Sequence, residues 1–295
     1  MVRVKKVEVT GPKPVEKDSR GILDPGLLRQ RVSLTRYPVG PTLGGLVNRF
    51  WAVAWDLPGG VVHTQQVLTH PGSNLSVGHP DASDEINGRG QIEARLNGVA
   101  RSLSSRTLKG RGWAVAAMTT PGGLGAFTTH AASTFADQVV PLGEALDLDE
   151  AKLIEHITAQ PDQESRVQVL VDVLEELAVR ADPQRVHLAR QVAEVARLAE
   201  TNRSLRRLVD LCDSAGIGPR QLQRLFLEYA GVPPVWVLRR YRLIEAAEAV
   251  KDGQQVSWAT VAADLGYADQ AHLSREFRAV IGKTPTAYAA AQSSD

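Results

Sequence analysis

Apolar positions recur along this chain with two different periods, and the change of period divides it. From about Gly21 to Val140 the apolar runs are short: LGGLVNRFWAVAW (43–55), TQQVLTH (64–70), SNLSVGH (73–79) and WAVAAM (113–118). Clusters of turn-forming residues separate them, namely PGG (58–60), HPG (70–72), HPD (79–81), NG (87–88 and 97–98), GRG (110–112) and PGG (121–123). Short runs bounded by Gly, Pro and Asn predict β-strands joined by turns. From Leu142 onward apolar residues fall instead at i, i+3, i+4 and i+7, as in LDEAKLIEHI, ESRVQVLVDVLEELAVR and PQRVHLARQVAEVARLAE. That spacing predicts amphipathic helices. Pro161 and Pro183 punctuate them, with Asp182 reading as an N-cap and Pro183 as the first helical residue.

One pattern occurs twice in the helical half. Leu222-Gln223-Arg224-Leu225-Phe226 and Leu273-Ser274-Arg275-Glu276-Phe277 share L-x-R-x-F, 51 residues apart. Gly231 and Pro234 follow the first copy at the offsets where Gly282 and Pro285 follow the second. Upstream, LVDLCDSAG stops at Gly216 and VAADLG at Gly266, each with one apolar residue behind it, Ile217 or Tyr267. Glycine takes the left-handed conformation that ends a helix, so each copy predicts a helix-turn-helix, at about 205–229 and 257–281.

In each second helix the i,i+4 pair, Leu222 with Phe226 or Leu273 with Phe277, packs inward. Arg220, Gln221, Gln223 and Arg224 then face outward in the first copy, and Gln270, His272, Ser274 and Arg275 in the second. Arginine matches O6 and N7 of guanine, and glutamine matches N6 and N7 of adenine, so these eight are candidate base readers. They lie in the N-terminal half of the second helix, where base-reading residues sit. The segment 234–250, PVWVLRRYRLIEAAEAV, predicts a helix that holds the two units apart. Arg206, Arg207, Arg239, Arg240 and Lys283 are candidate phosphate contacts, which position a protein without reading sequence. Trp236, Trp258, Tyr267 and Tyr288 read as packing residues.

Charge refines this picture. The 295 residues carry a net charge of only +1, which argues against coating nucleic acid by charge alone. Between Thr201 and Leu243, however, eight arginines face three acidic residues, a local basic stripe. The single cysteine, Cys212, excludes an internal disulfide. It lies in LVDLCDSAG with no adjacent His or Lys to make a thiolate, so it reads as core rather than as an alkyl acceptor. No apolar run approaches the roughly 20 residues of a bilayer span, and the N-terminus lacks a signal-peptide core. A cytoplasmic, nucleoid-associated protein without membrane contact is the expectation.

GPRQLQRLFLEYAGVPPVWVLRRYRLIEAAEAV followed by VSWATVAADLGYADQAHLSREFRAVIGKTPTAY resembles the DNA-binding domain of the AraC/XylS family of bacterial transcription regulators. The likeness covers about Leu205 to Tyr288. It implies that Arg220, Gln223 and Arg224, and Gln270, His272 and Arg275, face DNA bases. Gly218 departs from the serine usual in the family at that helix start, which implies a weaker cap. RYPVGPTLGGLVNRFWAVAW with the later WAVAAMTTPGG resembles the β-rich, cupin-like sensory domains that precede such units.

The expected fold is therefore α+β and multidomain: an arm (1–20), a β-rich sensory or dimerisation domain (21–140), a helical connector (141–181) and an all-α double helix-turn-helix domain (182–295). Double-stranded DNA is the expected partner. RNA polymerase, a second copy of the chain and a small effector are the further partners that the resemblance admits. Trp51, Trp55 and Trp113 are candidates for lining an effector pocket. No catalytic residue, cofactor or metal site is expected, because His63, His70, His79 and His130 lack the HxH-plus-Glu spacing of a metal-binding cupin. The competing readings are a non-specific architectural protein and a β-barrel enzyme tethered to DNA.

Overall fold

The computed structural model describes residues 21–23, 25–82, 91–249 and 256–292. The expected arm at 1–20, and the end of the expected spacer helix at Val250, lie outside them. The order begins with α1 (Pro25–Arg31), β1 (Val32–Tyr37), β2 (Val47–Asp56), β3 (Val62–Val67) and β4 (Asn74–Gly78). It continues with β5 (Glu93–Asn97), β6 (Ser104–Lys109), β7 (Arg111–Thr119), α2 (Leu124–Phe127), β8 (Val139–Pro141) and α3 (Leu142–Leu146). The chain is helical thereafter: α4 (Glu150–Thr158), α5 (Gln163–Arg180), α6 (Pro183–Thr201), α7 (Leu208–Ala215), α8 (Pro219–Leu225) and α9 (Pro234–Glu248). The last three helices are α10 (Trp258–Asp264), α11 (Gln270–Ile281) and α12 (Pro285–Gln292). The β-rich first half and helical second half follow the two periods of the sequence.

The strands form an antiparallel six-stranded sheet, β1-β2-β7-β4-β5-β8, and a two-stranded ribbon, β3-β6. Because side chains alternate between faces, register decides what shares a surface. One row across the sheet reads Arg36, Trp51, Ala116, Ser76, Arg95, and the row two residues along reads Leu34, Val53, Ala114, Gly78, Glu93. Both rows face a cavity beneath the β3-β6 ribbon. The opposite face holds Phe50, Ala52, Val115 and Ala117, and α5 covers it.

The expected boundary at residue 182 does not coincide with a break in the core. One apolar cluster takes in Phe50, Leu75, Leu96 and Val115 of the sheet, α5 and α6, and also Leu211, Leu222 and Phe226 of the first helix-turn-helix. Contact with α2 explains the continuity: a Cβ on Gly125 would fall 2.3 Å from Tyr229 Cδ1, so only glycine lets the two backbones approach. A second cluster holds Trp258, Leu265, Leu273, Phe277, Ile281 and Tyr288, joined by Leu23 and Leu68 from the N-terminal half. Helix α9 spans the two, with Val237, Leu238 and Tyr241 in the first and Leu243, Ile244 and Ala247 in the second.

Candidate functional site

Both predicted repeats form, and by the same local rules. Helix α7 ends at Gly216 (φ 64°), and Ile217 N–H reaches back to Cys212 O at 3.1 Å. Helix α10 ends in the same way before Gly266 (φ 78°), with Tyr267 N–H on Ala262 O at 2.9 Å. These returns to a carbonyl five residues earlier satisfy groups that a helix end would leave unpaired. Asp269 caps α11 by accepting from His272 N–H at 2.6 Å, whereas Gly218 offers no side chain and Pro219 opens α8 instead. Helix α8 runs on into a π-helical turn, Phe226–Ala230. Burial pushes the Cys212 thiol above its ordinary pKa, with Asp213 adding to the shift, as suits a packing residue.

Leu222, Phe226, Leu273 and Phe277 are buried, so the outward set is fixed by the 3.6-residue period. Arg220, Gln221, Gln223, Arg224, Gln270 and Arg275 are exposed, and among the described residues no ion pair engages the three arginines. His272 and Ser274 are half-buried. The His272 ring stands edge-on to Tyr267 at 5.3 Å, and its Nε2 lies 3.7 Å from Glu276 Oε1. Glu276 Oε1 is also 3.8 Å from Arg239 Nε, so one carboxylate holds two of the candidates. Burial, reinforced by Glu276, raises the Tyr267 hydroxyl well above its ordinary pKa. Arg206, Arg207, Arg239 and Lys283 are exposed as phosphate contacts require. Arg207 also cross-caps α7: its Nη2 lies 3.0 Å from Asp210 Oδ1, while its N–H donates to Asp210 Oδ2 at 2.9 Å.

The cavity between the sheet and the β3-β6 ribbon has a volume of about 260 Å³. Leu28, Val32, Val53 and Trp55 make one side of its lining apolar, and Arg36, Arg49, Arg95 and Arg106 bring four cations to it, against Asp81 and Glu93. Trp51 and Trp55 line it, with their indole N–H groups donating to Asn74 Oδ1 and Lys109 O, both at 3.1 Å. Trp113 does not. It pairs with Ala54 in the ladder, so strand alternation turns it to the other face, where the Arg166 guanidinium of α5 lies 4.1 Å above its ring. The four histidines sit apart in their packing: His63 is buried on β3, His70 packs on Tyr241, His79 between Trp55 and Trp113, and His130 on Phe135, and among the described residues no three metal-ligating side chains gather. The lining arginines were not singled out by sequence, although Arg49 stands two residues before Trp51 and shares its face.

Residues 211–291 match the profile of a family described as a helix-turn-helix domain. That segment contains α8, α9 and α11 and nearly all of both repeats. The chain carries an AraC-type helix-turn-helix domain. Such a domain makes it a DNA-binding transcription regulator. Residues 35–141 match a domain of unknown function. A probable AraC family transcriptional regulator from Rhodopseudomonas palustris CGA009 is 24% identical, aligned over 35% of this chain and 96% of its own, with a TM-score of 0.31. ToxT from Vibrio cholerae is 10% identical over 78% of this chain and 97% of its own, with a TM-score of 0.40. A structure of ToxT with an unsaturated fatty acid bound aligns with a TM-score of 0.35 at 11% identity, over 78% of this chain and 94% of its own. No curated protein matches the sequence.

Within the AraC-type domain, Arg240 corrects the expected phosphate face. It is only 2% exposed, and its guanidinium turns inward. Nη2 donates to Arg101 O at 2.6 Å and Ala100 O at 3.2 Å, Nη1 to Thr69 O at 3.4 Å, and Cζ lies 4.6 Å over the Trp236 ring. The reason is periodicity: Arg240 shares the inward stripe of α9 with Val237, Tyr241 and Ile244. Burial lowers its pKa to about 10, partly offset by Asp137, so it remains charged at neutral pH. Arg242 is likewise buried, donating to Asn202 O at 2.9 Å.

Asp137 secures the loop that receives Arg240, accepting from Arg101 N–H at 2.7 Å. Burial raises its carboxyl, but the hydrogen bonds and charge of Arg101 outweigh this and hold it below its ordinary 3.8. Its stabilisation is therefore present above that ordinary value and disappears as pH falls through the lower folded one. Asp137 has φ 58°, which asparagine also tolerates. Asp137→Asn is expected to cost about 1 kcal/mol at pH 7 and progressively less as pH is lowered below 3.8, read from urea denaturation across that range.

Proposed function

We propose that this protein is an effector-responsive, sequence-specific regulator that inserts α8 and α11 into successive major-groove segments of one duplex. The observation that carries the reading is the pairing of two helices, each with exposed Arg and Gln outside a buried Leu-Phe pair, at the two ends of α9. Successive major-groove segments on one face of DNA lie about 34 Å apart, and a spacer packed into both cores suits two readers held at fixed separation. The low net charge favours specificity over coating, since non-specific affinity comes mainly from phosphate neutralisation. The cavity supports the effector part, because its apolar wall and clustered arginines suit a small molecule with a polar group.

The test compares affinity for a selected site with affinity for random duplex at one salt concentration. A ratio on the order of 10³ or more is expected for a specific regulator. A ratio near one would leave only an architectural role. Arg239→Ala is expected to weaken binding to both duplexes alike and to lower the slope of log affinity against log salt by about one.

A further inference from the structure

Three consecutive residues of the cavity wall face the DNA-binding half of the chain. Leu68 lines the cavity and is fully buried, yet it also belongs to the apolar cluster built by Leu273 and Phe277 of α11. The Thr69 carbonyl accepts from Arg240 of α9. The His70 ring stands edge-on to Tyr241 of α9 at 5.6 Å. Ala100 lines the same space beside Thr69, whose Oγ1 donates to its carbonyl at 3.5 Å, and it offers that carbonyl to Arg240 as well. A buried guanidinium that bridges two segments ties them closely, because withdrawing it would strand the charge and the carbonyls it serves.

We propose that Leu68–His70 and Arg240 form the conduit by which occupancy of the cavity alters DNA binding. This rests on the effector reading above. An occupant that displaces the Leu68–His70 or Ala100 wall must move either the Arg240 anchor or the packing of Leu68 in the cluster that holds α11. Both changes reach the second helix-turn-helix through α9. The first unit shares its core with the sheet, so it stays fixed while the second shifts against it. Occupancy thereby changes the spacing of the two readers rather than the chemistry of either.

The experiment needs no identified effector. Ser104→Trp on the ribbon and Val53→Trp on the sheet each fill the cavity from opposite walls. Operator affinity is measured by fluorescence anisotropy for the full chain with each filler, alone and combined with Arg240→Met. Each filler is expected to change affinity about fivefold in the otherwise native chain and less than about twofold beside Arg240→Met. An undiminished effect in the Arg240→Met background would overturn the conduit and leave the effector reading standing. No effect in either background would sink the effector reading, and this inference with it. If circular dichroism shows both fillers unfolded, hydrogen exchange of Arg240→Met alone decides. Faster exchange in 68–72 together with α10 and α11 supports the conduit, and faster exchange confined to 68–72 overturns it.

Discussion

Phe277→Ala is expected to destabilise the second helix-turn-helix by about 3–5 kcal/mol, the usual cost of emptying a fully buried aromatic site. Phe277 has no exposed surface, and its ring centroid lies 6.3 Å from that of Trp258 and 5.6 Å from that of Tyr288. It is also the i,i+4 partner of Leu273 in α11. The cluster around it is small, so few neighbours are available to close the void. The first unit draws its stability from the other cluster, which it shares with the β-sheet. Hydrogen exchange should therefore show α10, α11 and α12 losing protection while α7, α8 and the sheet keep theirs. Uniform loss over the whole chain would mean that the two clusters unfold as one.

Arg275→Ala is expected to cost about 1–3 kcal/mol at the cognate site and to relax discrimination at one base pair. Arg275 is exposed on α11, two residues beyond the buried Leu273, and among the described residues it makes no ion pair that would have to break before it met a base. His272 differs, since its ring already packs on Tyr267 and its Nε2 faces Glu276. His272→Ala should accordingly cost less at the same site. Equilibrium binding to the cognate duplex, and to duplexes substituted at each position in turn, separates the two. An equal loss on all of them would reassign Arg275 to the phosphates.

What sequence made legible was local. Gly216 and Gly266, each followed by one apolar residue, mark helix ends because only the chain's own backbone is involved. The Leu222–Phe226 and Leu273–Phe277 pairs mark the inward faces by helical period alone. Arg240 is different. The run Arg239-Arg240-Tyr241-Arg242 looks like a basic patch, yet α9 is packed on more than one side, and two of its three arginines are covered. Which side is covered depends on contacts with Thr69, Ala100 and Arg101, far away in sequence. Trp113 is similar: its face follows from pairing with Ala54 across the β2-β7 ladder, a register that no single strand reveals. The shared core was hidden too, because the approach of Gly125 to Tyr229 joins residues more than a hundred positions apart.

Under the proposed function, two helices of one chain read one bipartite site. Selection of bound duplexes from a random pool tests it most directly, with the native chain, Arg224→Ala and Arg275→Ala in parallel. Two conserved boxes about 10–10.5 base pairs apart are predicted, with Arg224→Ala blurring one box and Arg275→Ala the other. A single box, or two variants that blur the same base pairs, would contradict it.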